Sequence, residues 1–396
     1  MKKVLLISPF PPAQNPRLVK EYNSLIDNGY EVKVLYAERD QWASAQNSAL
    51  NEDFVLVGGK YGSLFHYFTR LIHKLAKLLL PYAYSYNRVS LFLLFKALNT
   101  KADLYIGHDL ASLPIAVIAA RKNNAKCGFD AEDFHRNEVS DDSESIPYKA
   151  AKKIEDSYLK DLDYMTAASP LISSAYRELY PFLEITTINN VFSNKYIKET
   201  NIDNHPLFKL FWFSQTVGKN RGLETVIEAI GKLNQKEITL TLLGLVSQEN
   251  KLYFEEIAQN NKLQPTQIKF LNPVSPSEIF EIANKHHIGL ALEPGFSLNN
   301  NIALSNKLFT YLIAGLAIIA SDTPAQKDFL DQNPDVGKYF PINDVTAMSN
   351  LISLFYTDRR MLRQIQINAK KLAITTFNWE TESKKLLSLI NKTFKN

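Results

Sequence analysis

Short apolar runs of strand length alternate with stretches of helix length along almost the whole chain. That alternation limits it to an α/β fold built on parallel sheets with helices on both faces. The first series of strands reads VLLIS (4–8), EVKVLY (31–36), DLYIGH (103–108), KCGFDA (126–131), DYMTAA (163–168) and ITTIN (185–189), with helices predicted over 16–28, 84–99, 110–123 and 147–161. Asn28-Gly29 stops the first helix, since both residues tolerate the left-handed backbone of a helix end. A second series reads KLFWFS (209–214), ITLTLLG (238–244), QIKFL (267–271), IGLALE (288–293) and AIIAS (317–321), with helices over 221–234, 249–262, 276–284, 305–314 and 344–356. Residues 193–207 between the two series are polar and aperiodic, the pattern of a linker. A length of 396 residues also favours two domains over one core. The expected architecture is two Rossmann-like domains facing a cleft, residues 1–192 and 208–375, with ligands beyond the carboxyl ends of the strands.

Several chemistries lack the motif they need. The first strand leads into PFPPAQNPR without a glycine, so the dinucleotide fingerprint is missing. No phosphate-binding P-loop pattern occurs, and Gly295-Phe-Ser297-Leu-Asn299 lacks the last glycine of a nucleophile elbow. The seven histidines show no metal-ligand spacing, and Cys127, the only cysteine, rules out an intramolecular disulfide or thiolate cluster. A formal charge of +4 is too small to imply nucleic-acid binding. Met1-Lys-Lys is followed by only VLLI before Ser8 and three prolines, too short for a secretory signal. The apolar region 71–98 is interrupted by Lys74, Lys77, Arg88 and Lys96, so no membrane-spanning helix is expected.

Four constellations fall at strand ends. Ser214-Gln215-Thr-Val-Gly-Lys219-Asn-Arg221-Gly222 joins a strand to a helix, where side-chain cations and the helix dipole favour one anion. In the segment LALEPGFSLNNNIALSNKLFTYLIAGLAIIASD (290–322), Glu293 ends a strand and Ser305-Asn306-Lys307 opens a helix, with Ser305 placed to cap it. Phosphate oxygens suit the first N–H groups of that helix, and sugar hydroxyls suit Glu293, whose carboxylate is costly to desolvate unless used. His108-Asp109 closes DLYIG, where an imidazole can orient or deprotonate a hydroxyl or simply satisfy the core, and where Asp109 can cap the next helix. Asp130, Glu132 and Asp133 follow another strand, either to grip hydroxyls or as a solvated helix start.

Taken in order, these residues resemble a GT-B glycosyltransferase, and most closely glycosyltransferase family 4, over nearly the whole chain. Asn15-Pro-Arg17 followed by NGYEVKVL is similar to that family's first loop and helix, His108-Asp109 to its His-Asp, and Asn189-Asn-Val191 to the end of its first domain. RGLETVIEAI resembles the helix behind its donor-phosphate loop, SNKLFTYLIAGLAIIASD its donor-site helix, and Phe377-Asn-Trp379-Glu its closing helix. The resemblance implies an N-terminal acceptor domain, a C-terminal donor-nucleotide domain and a last helix, 376–396, crossing back to the first. It implies a retaining, metal-independent transfer of a hexosyl group from a nucleotide sugar to a glycan or lipid-linked acceptor in polysaccharide or glycan biosynthesis, with no cofactor. By carry-over, Lys219 and Arg221 neutralise the leaving diphosphate with the backbone near Ser305, where charge develops. His108 meets the sugar or acceptor, and Gln215, Glu293, Asn306, Lys307 and Thr310 line the donor. Arg17, Asp109, Asp130, Glu132 and Asp133 line the acceptor.

The chain departs from that pattern at Gln215, often Arg in the family, at Arg221, often Lys, and at Glu132, usually His. The family's ribose-binding Glu falls on Thr310, and the first of its two glutamates on Ile302. A GT-B sugar-nucleotide epimerase or hydrolase, or a nucleotide-sugar-binding relative with weakened turnover, therefore stays open beside the transferase. One region speaks to the acceptor. Residues 54–102 contain no Asp or Glu but seven Lys or Arg, among them Arg70, Lys74, Lys77 and Arg88, interleaved with Phe and Leu. Such a stretch suits an anionic membrane surface, or else packs its apolar face on the core and solvates its basic face. The expected location is the cytoplasm, with peripheral contact at the inner face of the membrane.

Overall fold

The computed structural model describes residues 1–38, 50–198 and 207–395. Part of the expected linker, residues 199–206, lies outside the described residues. The chain forms two compact units. The first comprises residues 1–189, 297–299 and those from Ser383 onward, and the second residues 190–296 and 300–382.

The first unit holds seven parallel strands in the order β3-β2-β1-β4-β5-β6-β7. These are β1 Lys3–Ile7, β2 Glu31–Tyr36, β3 Phe54–Leu56, β4 Leu104–His108, β5 Lys126–Ala131, β6 Tyr164–Ala167 and β7 Ile185–Thr187. The central strands are buried on both faces, with Leu5, Leu6, Tyr105 and Phe129 wholly inside, so they read as continuous apolar runs rather than alternating ones. The helices are α1 Pro16–Asp27, α2 Leu64–Leu79, α3 Ser90–Leu98, α4 Leu113–Asn123, α5 Ile146–Tyr158 and α6 Pro170–Leu179. Asn15 caps α1 by accepting from the Leu18 N–H at 3.0 Å, and Pro16 supplies its first position.

The second unit holds six parallel strands in the order β10-β9-β8-β11-β12-β13. These are β8 Phe208–Val217, β9 Ile238–Val246, β10 Ile268–Leu271, β11 Ile288–Ala291, β12 Ala317–Ser321 and β13 Gly337–Phe340. Its helices are α7 Leu223–Leu233, α8 Gln248–Asn260, α9 Pro276–Ala283, α10 Asn306–Ala314, α11 Pro324–Gln332, α12 Val345–Thr357 and α13 Arg359–Thr375, while α14 Trp379–Lys395 starts in this unit and belongs to the first from Ser383 onward. Leu210, Trp212, Leu240, Leu290 and Ile319 build the core between the sheet and α7 and α12.

Three expectations shift. Strands β3 and β13, of three and four residues, are additions to the runs expected from the sequence. The single helix expected over 84–99 is a turn at Tyr82–Ser85 and a separate α3, because the chain turns at Asn87–Ser90 to send the Arg88 side chain inward. Strand β8 runs to Val217, past an irregularity between Phe213 and Thr216, so Gln215 sits on the strand rather than in the following loop.

In each unit the strand order reverses direction once, between β1 and β4 and between β8 and β11. The loops leaving such a pair diverge to opposite faces of the sheet and open a crevice there. The residues after these four strands are therefore the ones the fold offers to a ligand.

Candidate functional site

In the first unit a cavity of about 820 Å³ opens beyond β1, β2 and β4, lined by Pro9, Phe10, Glu38 and Asp109 from the strand ends. Asp109 follows β4 with a φ of 70°, a conformation costly for a residue with a side chain and common at functional sites. Ser112 holds it there, its Oγ lying 2.6 Å from the carbonyl oxygens of both His108 and Asp109. Gly107 permits this close turn, since a Cβ at that position would come within 2.9 Å of Ser112. Burial pushes the Asp109 carboxyl up to about 7; Glu138 and Glu132 reinforce this, while His135 and the Ala111 N–H oppose it.

His108 does not line that cavity. Its imidazole is fully buried, Nε2 lying 3.0 Å from Glu21 Oε2 and Nδ1 3.5 Å from Asp130 Oδ2 and Glu132 Oε1. Burial pulls this imidazole down, but Asp130, Glu132 and Glu21 overrule it and hold the ring well above the ordinary histidine value. Asp130 is 1% exposed and Arg17 3%, the Arg17 guanidinium forking onto both Asp130 oxygens and donating to the Ile188 carbonyl. His108 as a substrate-touching group, and Arg17 and Asp130 as acceptor ligands, are thus corrected: they form a buried ionic cluster under the end of β4 and β5. Glu132, one-quarter exposed, accepts from Asn15 Nδ2 at 2.6 Å. Asp133 accepts from Asn299 Nδ2 at 2.8 Å.

The four basic residues expected at a membrane divide. Arg70, Lys74 and Lys77 are exposed on α2. Arg88 is half-buried and donates to the carbonyls of Gly58 and Glu38 and to the Thr69 hydroxyl, so it anchors α2 to the body rather than meeting a surface. No helix among the described residues is long and apolar enough to cross a membrane.

In the second unit Arg221 lies beyond β8, its Nη1 2.8 Å from Ser214 Oγ and Nη2 3.3 Å from Thr216 Oγ1. Among the described residues it has no carboxylate at ion-pairing distance, so two hydroxyls aim its charge without cancelling it. Gly222, with a φ of 74°, then starts α7. Lys219 is paired with exposed Glu249 at 3.1 Å and lies over the Tyr253 ring. Glu293, after β11, accepts from Lys307 Nζ at 2.8 Å and Ser305 Oγ at 2.7 Å. Burial raises its carboxyl, but Lys307 and Ser305 outweigh that and hold it below the usual carboxylate range. Ser305 occupies the N-cap position of α10, yet its hydroxyl donates to Glu293 instead of accepting from the helix. This correction leaves the opening N–H groups of α10 without a side-chain cap. Asn306 and Gln215 are exposed. Thr310 is corrected as a donor ligand: it is buried, and its hydroxyl donates back to the Asn306 carbonyl. A pocket of about 250 Å³ brings Glu293 together with Asn220, Gly222, Tyr253 and Asn343.

Two trios bring ligand atoms within 4.8 Å of one another, Glu21–His108–Asp130 and Asp109–His135–Glu138. In the first, the Arg17 fork already neutralises Asp130. In the second, His135 Nδ1 sits 3.0 Å from Glu138 Oε2, and its ring is raised to about 10: burial lowers it, but Glu138, Asp109 and Asp133 prevail. Both trios are self-compensated ion clusters. Sequence reasoning missed the cavity residues His66, His73 and Glu138, which lie in a helix and a loop with no strand end to mark them, and passed over Glu38, two residues beyond β2.

Solved structures share this arrangement of strands and helices end to end. HepE from Anabaena, in complex with UDP and glucose, matches with a TM-score of 0.73 at 13% identity, covering 99% of this chain and 100% of that one. This chain has the GT-B fold. Sucrose-phosphate synthase from Thermosynechococcus elongatus shares the GT-B arrangement with a TM-score of 0.74 at 14% identity, each chain covered completely. A glycosyltransferase from Rickettsia africae gives 0.70 at 14% identity over 100% of this chain and 99% of that one. No protein-family model matches this chain, and the search of curated proteins found no match.

Proposed function

We propose that the chain is a glycosyltransferase that moves a hexosyl group from a nucleotide-sugar donor to a glycan or lipid-linked acceptor. The observation that carries this reading is Arg221, an uncompensated guanidinium at the entry to α7, held by Ser214 and Thr216 beyond the β8–β11 reversal. A diphosphate bound there gains a charge-assisted bond and the dipole of α7 together. HepE, which shares the fold, binds UDP and UDP-glucose, and supports a uridine nucleotide as the first donor class to test.

In this mechanism Arg221, the α10 amides and, once freed from Glu249, Lys219 stabilise the leaving diphosphate, which is where negative charge grows. Those cations take the place of a divalent ion, so the transfer needs no metal, and retention of anomeric configuration follows the family resemblance. Glu293 accepts from sugar hydroxyls, its position set by Lys307 and Ser305. Asp109 meets the acceptor in the first unit's cavity. His108 acts as a positioning residue, packing the charged cluster beneath Asp109. The sober place for this work is the cytoplasmic face of a membrane, with α2 as the peripheral contact, in polysaccharide or glycan assembly.

Titration calorimetry with a panel of nucleotides and nucleotide sugars tests the donor half, with product analysis on the tightest donor to follow. Absence of binding at millimolar nucleotide rejects the catalytic reading. Binding with hydrolysis or epimerisation but no transfer moves the chain to the sugar-nucleotide epimerase or hydrolase class. Binding without turnover leaves a nucleotide-sugar-binding protein.

A further inference from the structure

Helix α2 is amphipathic in the wrong sense for a helix on a protein in water. Its body-facing side carries His66, Thr69, His73 and Ala76, of which His66, Thr69 and Ala76 are buried. Its outward side carries Leu64, Phe68, Leu71, Leu75, Leu78 and Leu79, each at least about half exposed, with Leu64 at 91% and Leu78 at 82%. Six large apolar side chains on one arc of one helix make a contiguous patch of the kind that marks an interaction surface. An ordinary surface helix turns that arc inward.

The polar stripe of the same helix has a second property. His66, Arg70, His73 and Lys77 follow each other at helical spacing, and all four line the cavity that also contains Asp109 and Glu138. Among the described residues, Arg70 and Lys77 have no carboxylate at ion-pairing distance. His66 is 4% exposed, and its Nδ1 has no hydrogen-bond partner there. Burial lowers His66, with Arg88 and Arg70 adding to it; burial lowers His73 likewise, with Lys77 and Arg88 adding. At that end of the cavity Arg70, Lys77 and Arg88 outnumber one carboxylate, Glu38, which opposes the lowering of His66, and no Asp or Glu occurs in the chain from residue 54 to 102.

We propose that α2 and this cavity form one docking site for a saccharide carried on a membrane lipid through a phosphate link. The lipid chain lies along the outward leucines, the phosphate sits among Arg70, Lys77, His66 and His73, and the sugar reaches Asp109 and Glu138. A free phosphosugar would leave the apolar arc in water, and a bulk anionic headgroup would leave the carboxylate end of the cavity unused. The inference rests on the transferase reading only in treating the bound molecule as an acceptor.

Vesicle flotation tests it, using phosphatidylcholine vesicles that carry either a polyprenyl diphosphate or phosphatidylglycerol at matched charge. The chain is expected to bind the diphosphate vesicles about tenfold more tightly. Arg70→Ala with Lys77→Ala should remove that preference, and Leu71→Glu with Leu75→Glu should abolish flotation on both vesicles. Melting curves of the variants confirm that each is folded. Binding that follows vesicle charge alone, no flotation of the native chain, or double variants that float like it would each overturn the site. Nucleotide titration of the same proteins separates the two readings, since a chain that floats as expected but ignores nucleotides keeps this site and loses the transferase.

Discussion

Arg17 and Asp130 form a two-point ion pair, Nε to Oδ2 at 2.5 Å and Nη2 to Oδ1 at 2.7 Å, with both side chains almost completely removed from solvent. Thr166 Oγ1 donates to the same carboxylate at 2.5 Å, and His108 completes the cluster. Taking one partner away leaves a buried charge uncompensated. Arg17→Met is therefore expected to destabilise the first unit by about 3–5 kcal/mol, read from a urea melt. The pH dependence has two edges. Burial raises the Asp130 carboxyl, but Arg17 and His108 hold it well below the usual range, so its contribution is present at neutral pH and lost on acidification through that depressed value. His108 is raised, so its contribution is full below the ordinary histidine value and lost as pH climbs through the raised one. Stability should form a plateau between these edges, and Arg17→Met should pull the acid edge upward.

Arg221 offers a cleaner separation of binding from folding. Its protein partners are two hydroxyls, so removing it strands no buried charge. Arg221→Ala should weaken nucleoside diphosphate binding about tenfold to a hundredfold, the value of one or two charge-assisted bonds. Nucleoside affinity and the melting temperature should stay close to those of the native chain. Calorimetry with a nucleoside and its diphosphate checks both, and equal loss for the two ligands would rule out a phosphate role.

The fold was legible because buried parallel strands such as LYIGH and IGLA announce themselves as apolar runs, each followed by polar residues at the sheet's working edge. What those edge residues do was less legible. His108 and Asp109 are neighbours at one strand end, yet the positive φ of Asp109 sends one into the core and the other to a cavity, and no pattern in the sequence encodes that turn. Periodicity likewise shows that residues 64–79 have an apolar face but not which way it turns; only the packing of His66, Thr69 and Ala76 against the body decides it. The partnership of Glu293 with Lys307 spans a loop and a helix start, which spacing alone does not reveal.

That Glu293–Lys307 pair makes the third prediction. Both side chains are about one-sixth exposed, and Lys307 is the first cause holding the Glu293 carboxyl down against burial. Lys307→Met leaves the carboxylate with Ser305 as its nearest donor, and should cost about 1–3 kcal/mol near neutral pH. A depressed carboxyl contributes stability above its unfolded value and loses it on acidification. The gap between native and Lys307→Met melts should therefore close as pH falls through the carboxylate range; a gap independent of pH would mean the lysine acts through packing on Trp212, over which its Nζ lies at 5.8 Å.

Asp109 supplies the fourth. A carboxyl near 7, facing a cavity, is half-ionised where most transfer assays are run. If it accepts a hydrogen bond or proton from the acceptor, turnover should rise with pH through about 7 and level above it. Asp109→Asn preserves the cap to Ala111 and tolerates the positive φ, so it should fold while flattening that profile and lowering turnover about a hundredfold or more. Stability must move the opposite way. A carboxyl raised on folding favours the native state when protonated, and this contribution is lost as pH rises from its unfolded value through about 7. Asp109→Asn should thus melt higher than the native chain at alkaline pH and equally near pH 4. A profile unchanged by the substitution, with donor binding intact, would assign Asp109 to the turn alone.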